Sequence, residues 1–292
     1  LGEGAASIAD WRLHMKGFDF FLLLTSVLLI AAGGYIINDY FDLKADRINK
    51  PERMVIGSVV GRRKAIVSHL LLSFMGLALG MLVAFRAGNI KLASIQLFSI
   101  AALWFYSSHL KKQLLSGNLL IALLAAMVPL TTGLFEFASE AMPSLRKLDF
   151  LVPGAGSMLL NKAAMLVVSV SLFAFLTNLI REIIKDTEDM QGDAAAGCHT
   201  LPILIGESRT KLLLIFLIFF TAGLLGFALE MLWQAEWFLL FWFTLISVLF
   251  PMLALAYLVW KAAEKSDYSR ASLVCKLIIV SGVLALFIFR YN

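Results

Sequence analysis

Residues 20–46 read FFLLLTSVLLIAAGGYIINDYFDLKAD, and the reading of this stretch decides the fold. From Phe20 to Ile37 there is no charged side chain. A helix that crosses a bilayer needs about 20 mostly apolar residues. A membrane β-strand would instead alternate apolar and polar positions over about 10 residues, and this run does not alternate. Closed helices satisfy every backbone group inside lipid, which an open sheet cannot do. The stretch therefore predicts a spanning helix over 18–38. It ends on a polar burst, Asn38, Asp39, Asp42 and Asp46.

Seven more apolar runs lie further along, at roughly 64–85, 91–108, 118–137, 163–184, 211–230, 236–260 and 272–290. The 292-residue chain is 60% hydrophobic and only 15% charged, with a mean hydropathy of +0.86. Soluble domains carry about 25% charged residues, so there are too few charges here to cover a water-facing surface. That excludes a soluble enzyme, a disordered chain and a secreted disulfide scaffold. Cys198 and Cys275 are too few for a disulfide framework and lack metal-ligand spacing. A net charge of +5 fits a membrane protein with basic loops and no nucleic-acid partner. The expected fold is all-α, a polytopic transmembrane bundle of about eight spans forming one integral-membrane domain over residues 1–292.

Loop charges orient the bundle. With the loop after the first span placed inside, most of the 25 Lys and Arg fall on the inner side, as the positive-inside rule requires. Arg62, Arg63 and Lys64 serve chiefly that purpose. Two inner loops are long and polar, 39–63 and 185–210, and each opens on acidic residues. The first begins NDYFDLKAD at Asn38. The second begins REIIKDTEDMQGD at Arg181, with Asp186, Asp189 and Asp193. In both, the three aspartates are spaced by three and then four residues. On a helix that spacing lines side chains along one face, so the expectation is two carboxylate stripes on the inner face. Clustered carboxylates repel unless cations enter. Hard oxygen donors suit Mg²⁺, which is commonly shared between a few carboxylates and substrate phosphates.

These residues carry a family resemblance. NDYFDLKAD resembles the first motif of the UbiA superfamily of intramembrane prenyltransferases, N-D-x-x-D-x-x-x-D, at every fixed position. DTEDMQGD resembles the second, with its D-x-x-x-D core at Asp189 and Asp193, and GCHTLPILIG resembles the G-x-x-T-L-P segment that follows. INKPER and REIIKDTEDMQGD are most similar to the digeranylgeranylglyceryl-phosphate synthase branch. One departure is Met54, Val55, Ile56 and Gly57, where that branch often has Pro-Ile-x-x-Gly. Family members usually have nine spans, so one N-terminal span is expected to be absent from this sequence.

The resemblance implies Mg²⁺-dependent transfer of a prenyl group, by branch a geranylgeranyl group, from its diphosphate to a glycerol-phosphate lipid. It implies Asn38, Asp39, Asp42, Asp189 and Asp193 as the catalytic set, with Asp46 and Asp186 joining the four aspartates as metal ligands. Lys44, Arg47, Arg53, Lys111, Arg181 and Lys185 are the candidate cations for the diphosphate, with Lys112 beside Lys111. Tyr106, Ser107 and Lys111 match a family loop near the diphosphate, although Tyr and Lys also anchor membrane boundaries. The implied enzyme is a multi-pass membrane protein with its active-site face cytoplasmic and membrane lipids around it.

Two other readings stay open. The acceptor could be aromatic, such as 4-hydroxybenzoate in quinone synthesis. A transporter could also use intramembrane acids. Transporter charges, however, belong deep in broken helices, and here they cluster at span ends.

Overall fold

The structure, a computed structural model, describes residues 15–49, 54–138 and 155–289, with the side chains at 44–46, 48–49 and 155–160 outside that description. In chain order the helices are α1 (Gly17–Asn49), α2 (Arg62–Arg86), α3 (Ala93–Ser108), α4 (Ser116–Glu136), α5 (Ala155–Glu188) and α6 (Met190–Ala195). They continue with α7 (Leu201–Ile205), α8 (Glu207–Gln234), α9 (Phe238–Thr244), α10 (Phe250–Lys261) and α11 (Lys265–Ile288). Among the described residues there is no strand, only an isolated bridge between Ile56 and Val60.

Among the described residues, eight helical segments are long and apolar enough to cross a membrane, and each coincides with one of the eight expected spans. The seventh runs through α9, a π-helical turn at Leu245–Leu249 and α10. Pro251 explains the wide turn. A proline ring clashes with the carbonyl four residues back and donates no hydrogen bond. Widening the preceding turn absorbs the fault, and the Phe250 N–H donates to Leu245 O, five residues back. Pro129, by contrast, sits inside α4 without ending it.

The chain divides into two compact units. The first holds Leu1–Leu43, Glu52–Ser108 and Ala126–Leu172, and the second holds Lys44–Pro51, His109–Ala125 and Phe173–Asn292.

In the first unit α1 and α2 meet through small residues. Gly76 and Gly80 form a G-x-x-x-G pair on α2, the spacing that lets membrane helices approach closely. A Cβ on Gly76 would lie 2.6 Å from Ile30 Cγ1 and 2.9 Å from the Ser26 carbonyl oxygen. Ser26 Oγ donates to Gly76 O at 2.6 Å. One end of the same seam is closed by His69, whose Nδ1 is 2.9 Å from Gly33 O. Leu23, Val83, Ala84 and Phe135 make the apolar core nearby.

The second unit has the larger core. Leu179, Ile180, Ile183 and Ile184 of α5 pack with Leu214 and Ile218 of α8, Met252 and Leu255 of α10, and Cys275 and Ile278 of α11. Outward positions such as Phe216, Phe227, Trp260 and Phe287 are exposed and apolar, as surfaces that face lipid must be.

The α1–α2 seam generates a direct prediction. Gly76→Val should destabilise the protein by about 1–3 kcal/mol, the usual cost of overpacking. Thermal unfolding in detergent measures it, and an unchanged midpoint would contradict the close approach.

Candidate active site

The first acidic segment lies on the extension of a spanning helix. α1 continues unbroken to Asn49, so Asn38, Asp39 and Asp42 share one helix at the spacing that stacks side chains on one face. Asn38 Nδ2 donates to Asp42 Oδ2 at 2.8 Å, one turn away. Asn38 Oδ1 is buried and has no hydrogen-bond partner among the described residues. Asp39 and Arg47 are exposed and Asp42 is half-buried. Arg47 occupies the last turn of α1, where a cation complements the helix dipole.

A compact turn fixes the chain beyond this segment. The Gly57 N–H donates to Val60 O at 2.8 Å, and Gly57 adopts φ +89°, which glycine reaches without strain. Ile56 from this turn packs with Leu43 and Ala65. On the membrane side, Phe41 meets Trp104 edge to face at 5.8 Å, and Trp104 lies 5.5 Å from the His69 ring. Tyr106 and Ser107 are buried at the end of α3. Ser107 Oγ donates to Leu103 O at 2.9 Å within its own helix.

The second segment corrects a sequence expectation. Its three aspartates do not sit on one continuous helix. Asp186 belongs to α5, Asp189 falls at a break with φ −96° and ψ 6°, and Asp193 belongs to α6. Hydrogen bonding still tracks through the bend: Asp189 N–H donates to Lys185 O at 2.9 Å, and Asp193 N–H to Asp189 O at 3.1 Å. α6 then ends in a Schellman turn. Gly197 takes φ +76°, its N–H donates to Ala194 O, and the Cys198 N–H donates to Asp193 O at 2.9 Å.

Neighbouring elements dress this segment. Asn118 Nδ2, near the start of α4, donates to Asp186 Oδ2 at 2.8 Å. The His199 N–H donates to Lys112 O at 2.8 Å, which ties the 3₁₀ turn Leu110–Lys112 to the chain after Asp193. Lys265 opens α11 behind a capping box formed by Glu264 and Asp267, and its Nζ lies 3.8 Å from Asp189 Oδ1. Arg181 is half-buried and donates to the buried carboxylate of Glu182. Lys111 and Lys185 are half-buried.

So Asp186, Asp189, Asp193, Arg181, Lys185 and Lys111 belong to one compact unit, and Asn38, Asp39, Asp42, Tyr106 and Ser107 to the other. The side chains of Lys44 and Asp46, and all of Arg53, lie outside the described residues. Sequence reasoning missed Asn118 and treated Lys265 only as a topology charge. The one available signal was a lone Asn at the head of an apolar run.

As a metal site, these segments offer hard oxygens. Among the described residues no three His, Cys, Asp or Glu side chains gather closely enough to hold an ion by themselves. Mg²⁺ does not need such a cage. It is usually held through one or two carboxylates, with water and substrate phosphates completing the shell. The open acceptor of Asn38 beside Asp42 fits that mode.

Comparison with known proteins identifies the family. Residues 5–282 match the UbiA prenyltransferase family. The digeranylgeranylglyceryl phosphate synthase of Saccharolobus solfataricus is 30% identical over 285 residues, covering 95% of this chain and 86% of that protein. Its counterpart from Sulfurisphaera tokodaii is 32% identical over 219 residues, covering 74% of this chain and 68% of that one. The structure of a UbiA homologue from Archaeoglobus fulgidus bound to DMAPP and Mg²⁺ has the same fold, with a TM-score of 0.61 at 17% identity over 95% of this chain and 91% of that one. The chain is an integral membrane protein that belongs to the UbiA prenyltransferase family.

Proposed function

We propose that this prenyltransferase moves a geranylgeranyl group from its diphosphate to a hydroxyl of a glycerol-phosphate lipid, with its active-site face cytoplasmic. The observation that supports this acceptor is the similarity to a digeranylgeranylglyceryl phosphate synthase across 95% of the chain. In the reaction, the allylic C1–O bond to the diphosphate breaks and a new C1–O bond to the acceptor forms. The acceptor hydroxyl gives up its proton to solvent, and the diphosphate leaves as the other product.

The chain's own residues bind and orient the diphosphate. Asp39 and Asp42 on the first segment, and Asp189 and Asp193 on the second, are the carboxylates that would hold Mg²⁺. When bound, that ion supplies charge neutralisation for the departing diphosphate. Asp46 extends the first set by sequence spacing. Asn38 orients Asp42 by the 2.8 Å hydrogen bond already described. Lys44, Arg47, Arg53, Lys111 and Lys185 supply cations for the remaining phosphate oxygens, and fixed charges in a dry site act strongly on developing charge. Arg181 holds Glu182 first and adds positive charge beside the second segment. Tyr106 and Ser107, at the end of α3, are the candidates that the family resemblance assigns to the diphosphate. The prenyl tail needs apolar surroundings, and the half-buried and exposed Phe and Leu side chains of the spans provide that material.

Two experiments test the reading. Asp39→Asn and Asp189→Asn should each lower kcat/KM for prenyl transfer by about a hundredfold or more, the scale seen when a group stabilising transition-state charge is removed. Wild-type rates in both variants would remove the site assignment. In reconstituted membranes, geranylgeranyl diphosphate should yield product with geranylgeranylglyceryl phosphate and not with 4-hydroxybenzoate. Product with the aromatic acid alone would move the chain to quinone-type prenylation.

A further inference from the structure

We propose that Asn118 is a positioning residue of the second acidic segment, holding Asp186 so that this segment and the basic Leu110–Lys112 turn form one clamp. The inference rests on reading that segment as part of the prenyl diphosphate site. It departs from the expectation that Asp186 is a metal ligand, and assigns Asp186 to the clamp.

Three contacts within one compact unit carry it. Asn118 is only 6% exposed, and its amide donates to Asp186 Oδ2 at 2.8 Å across 68 residues of sequence. The bond satisfies a buried amide and a carboxyl oxygen together. Burying an amide at a span end is costly without such a partner, and a leucine would pack there at no such cost. The second contact is Gly117, next in the chain. A Cβ there would lie 2.9 Å from Leu110 O and 3.0 Å from Lys111 Cα. Both are backbone atoms, so only glycine lets the head of α4 lie directly on the basic turn. The third is the His199 N–H, which donates to Lys112 O at 2.8 Å. His199 follows the Schellman turn that closes on Asp193 O.

The turn bearing Lys111 and Lys112 is thus gripped by α4 and by the chain after Asp193. Asn118 links the two grips through Asp186 on α5. Its loss should move the basic turn relative to Asp189 and Asp193, and so weaken diphosphate binding more than the chemical step.

The test uses the full chain in nanodiscs with two readouts. The first is kcat and KM for geranylgeranyl diphosphate. The second is hydrogen–deuterium exchange at the His199 amide, which reports the turn without catalysis. Asn118→Leu removes the donor. Asn118→Asp sets two carboxylates face to face, and adding Asp186→Asn to it restores a donor and an acceptor with their roles exchanged. Each single variant should raise KM about tenfold or more, as expected when a buried polar group loses its partner, with a smaller change in kcat and faster exchange at His199. The double variant should recover both readouts. A double variant as impaired as Asn118→Asp, or an Asn118→Leu protein with unchanged KM and exchange, would overturn the proposal. Asn118→Ser, which is too short to reach Asp186, serves if the leucine variant fails to insert. If the wild-type chain transfers no prenyl group, the functional reading falls, and the exchange readout decides the clamp alone.

Discussion

Hydrocarbon offers the backbone no hydrogen-bond partner, and the rest of this structure follows from that constraint. Each span closes its own N–H and C=O groups as a helix. Hydroxyls inside the spans are treated the same way. Thr25 donates to Phe21 O, Ser171 to Val167 O, Thr187 to Ile183 O and Thr221 to Leu217 O, each one turn back. Helices whose polar groups are satisfied internally are then free to associate by shape. The aliphatic core around Ile183, Ile218 and Met252 does so in one unit, and the Gly76 and Gly80 seam in the other adds hydrogen bonds from Ser26 and His69 across the two helices.

The same constraint explains where the chemistry sits. Carboxylates cannot be placed cheaply in lipid, so the acidic residues gather where spans end. There Asp42, Asp186 and Asp189 are half-buried, and each of these three is steadied by a neighbour. Asn38 steadies Asp42, Asn118 steadies Asp186, and Lys265 approaches Asp189. Amides do much of this work. Beside Asp42 the amide orients a carboxylate without neutralising it, which under the proposed function would leave its negative charge for a divalent ion. A lysine or arginine in the same place would cancel that charge.

The fold was legible in the sequence because spans are long and uniform. Each expected span coincides with one apolar helical segment, and the spacing of Asp39 and Asp42 was readable because α1 continues helical to Asn49. The second segment was readable in its residues and not in its shape. At Asp189 the helix breaks and is followed by the short α6 and the Gly197 turn, none of which periodicity encodes. Asn118 was illegible for another reason: its partner is 68 residues away, and a lone Asn in an apolar run has no pattern. Gln96 is similar. It is 2% exposed, with neither side-chain polar atom bonded among the described residues, and nothing in its local sequence marks it.

The central claim is that the acidic segments bind prenyl diphosphate through a divalent ion. The most direct measurement is equilibrium binding of an unreactive geranylgeranyl diphosphate analogue to the reconstituted chain, in Mg²⁺ and in excess EDTA. The account predicts affinity about a hundredfold or more weaker without the ion, the equivalent of about 2.7 kcal/mol. Equal affinity in the two conditions would contradict it.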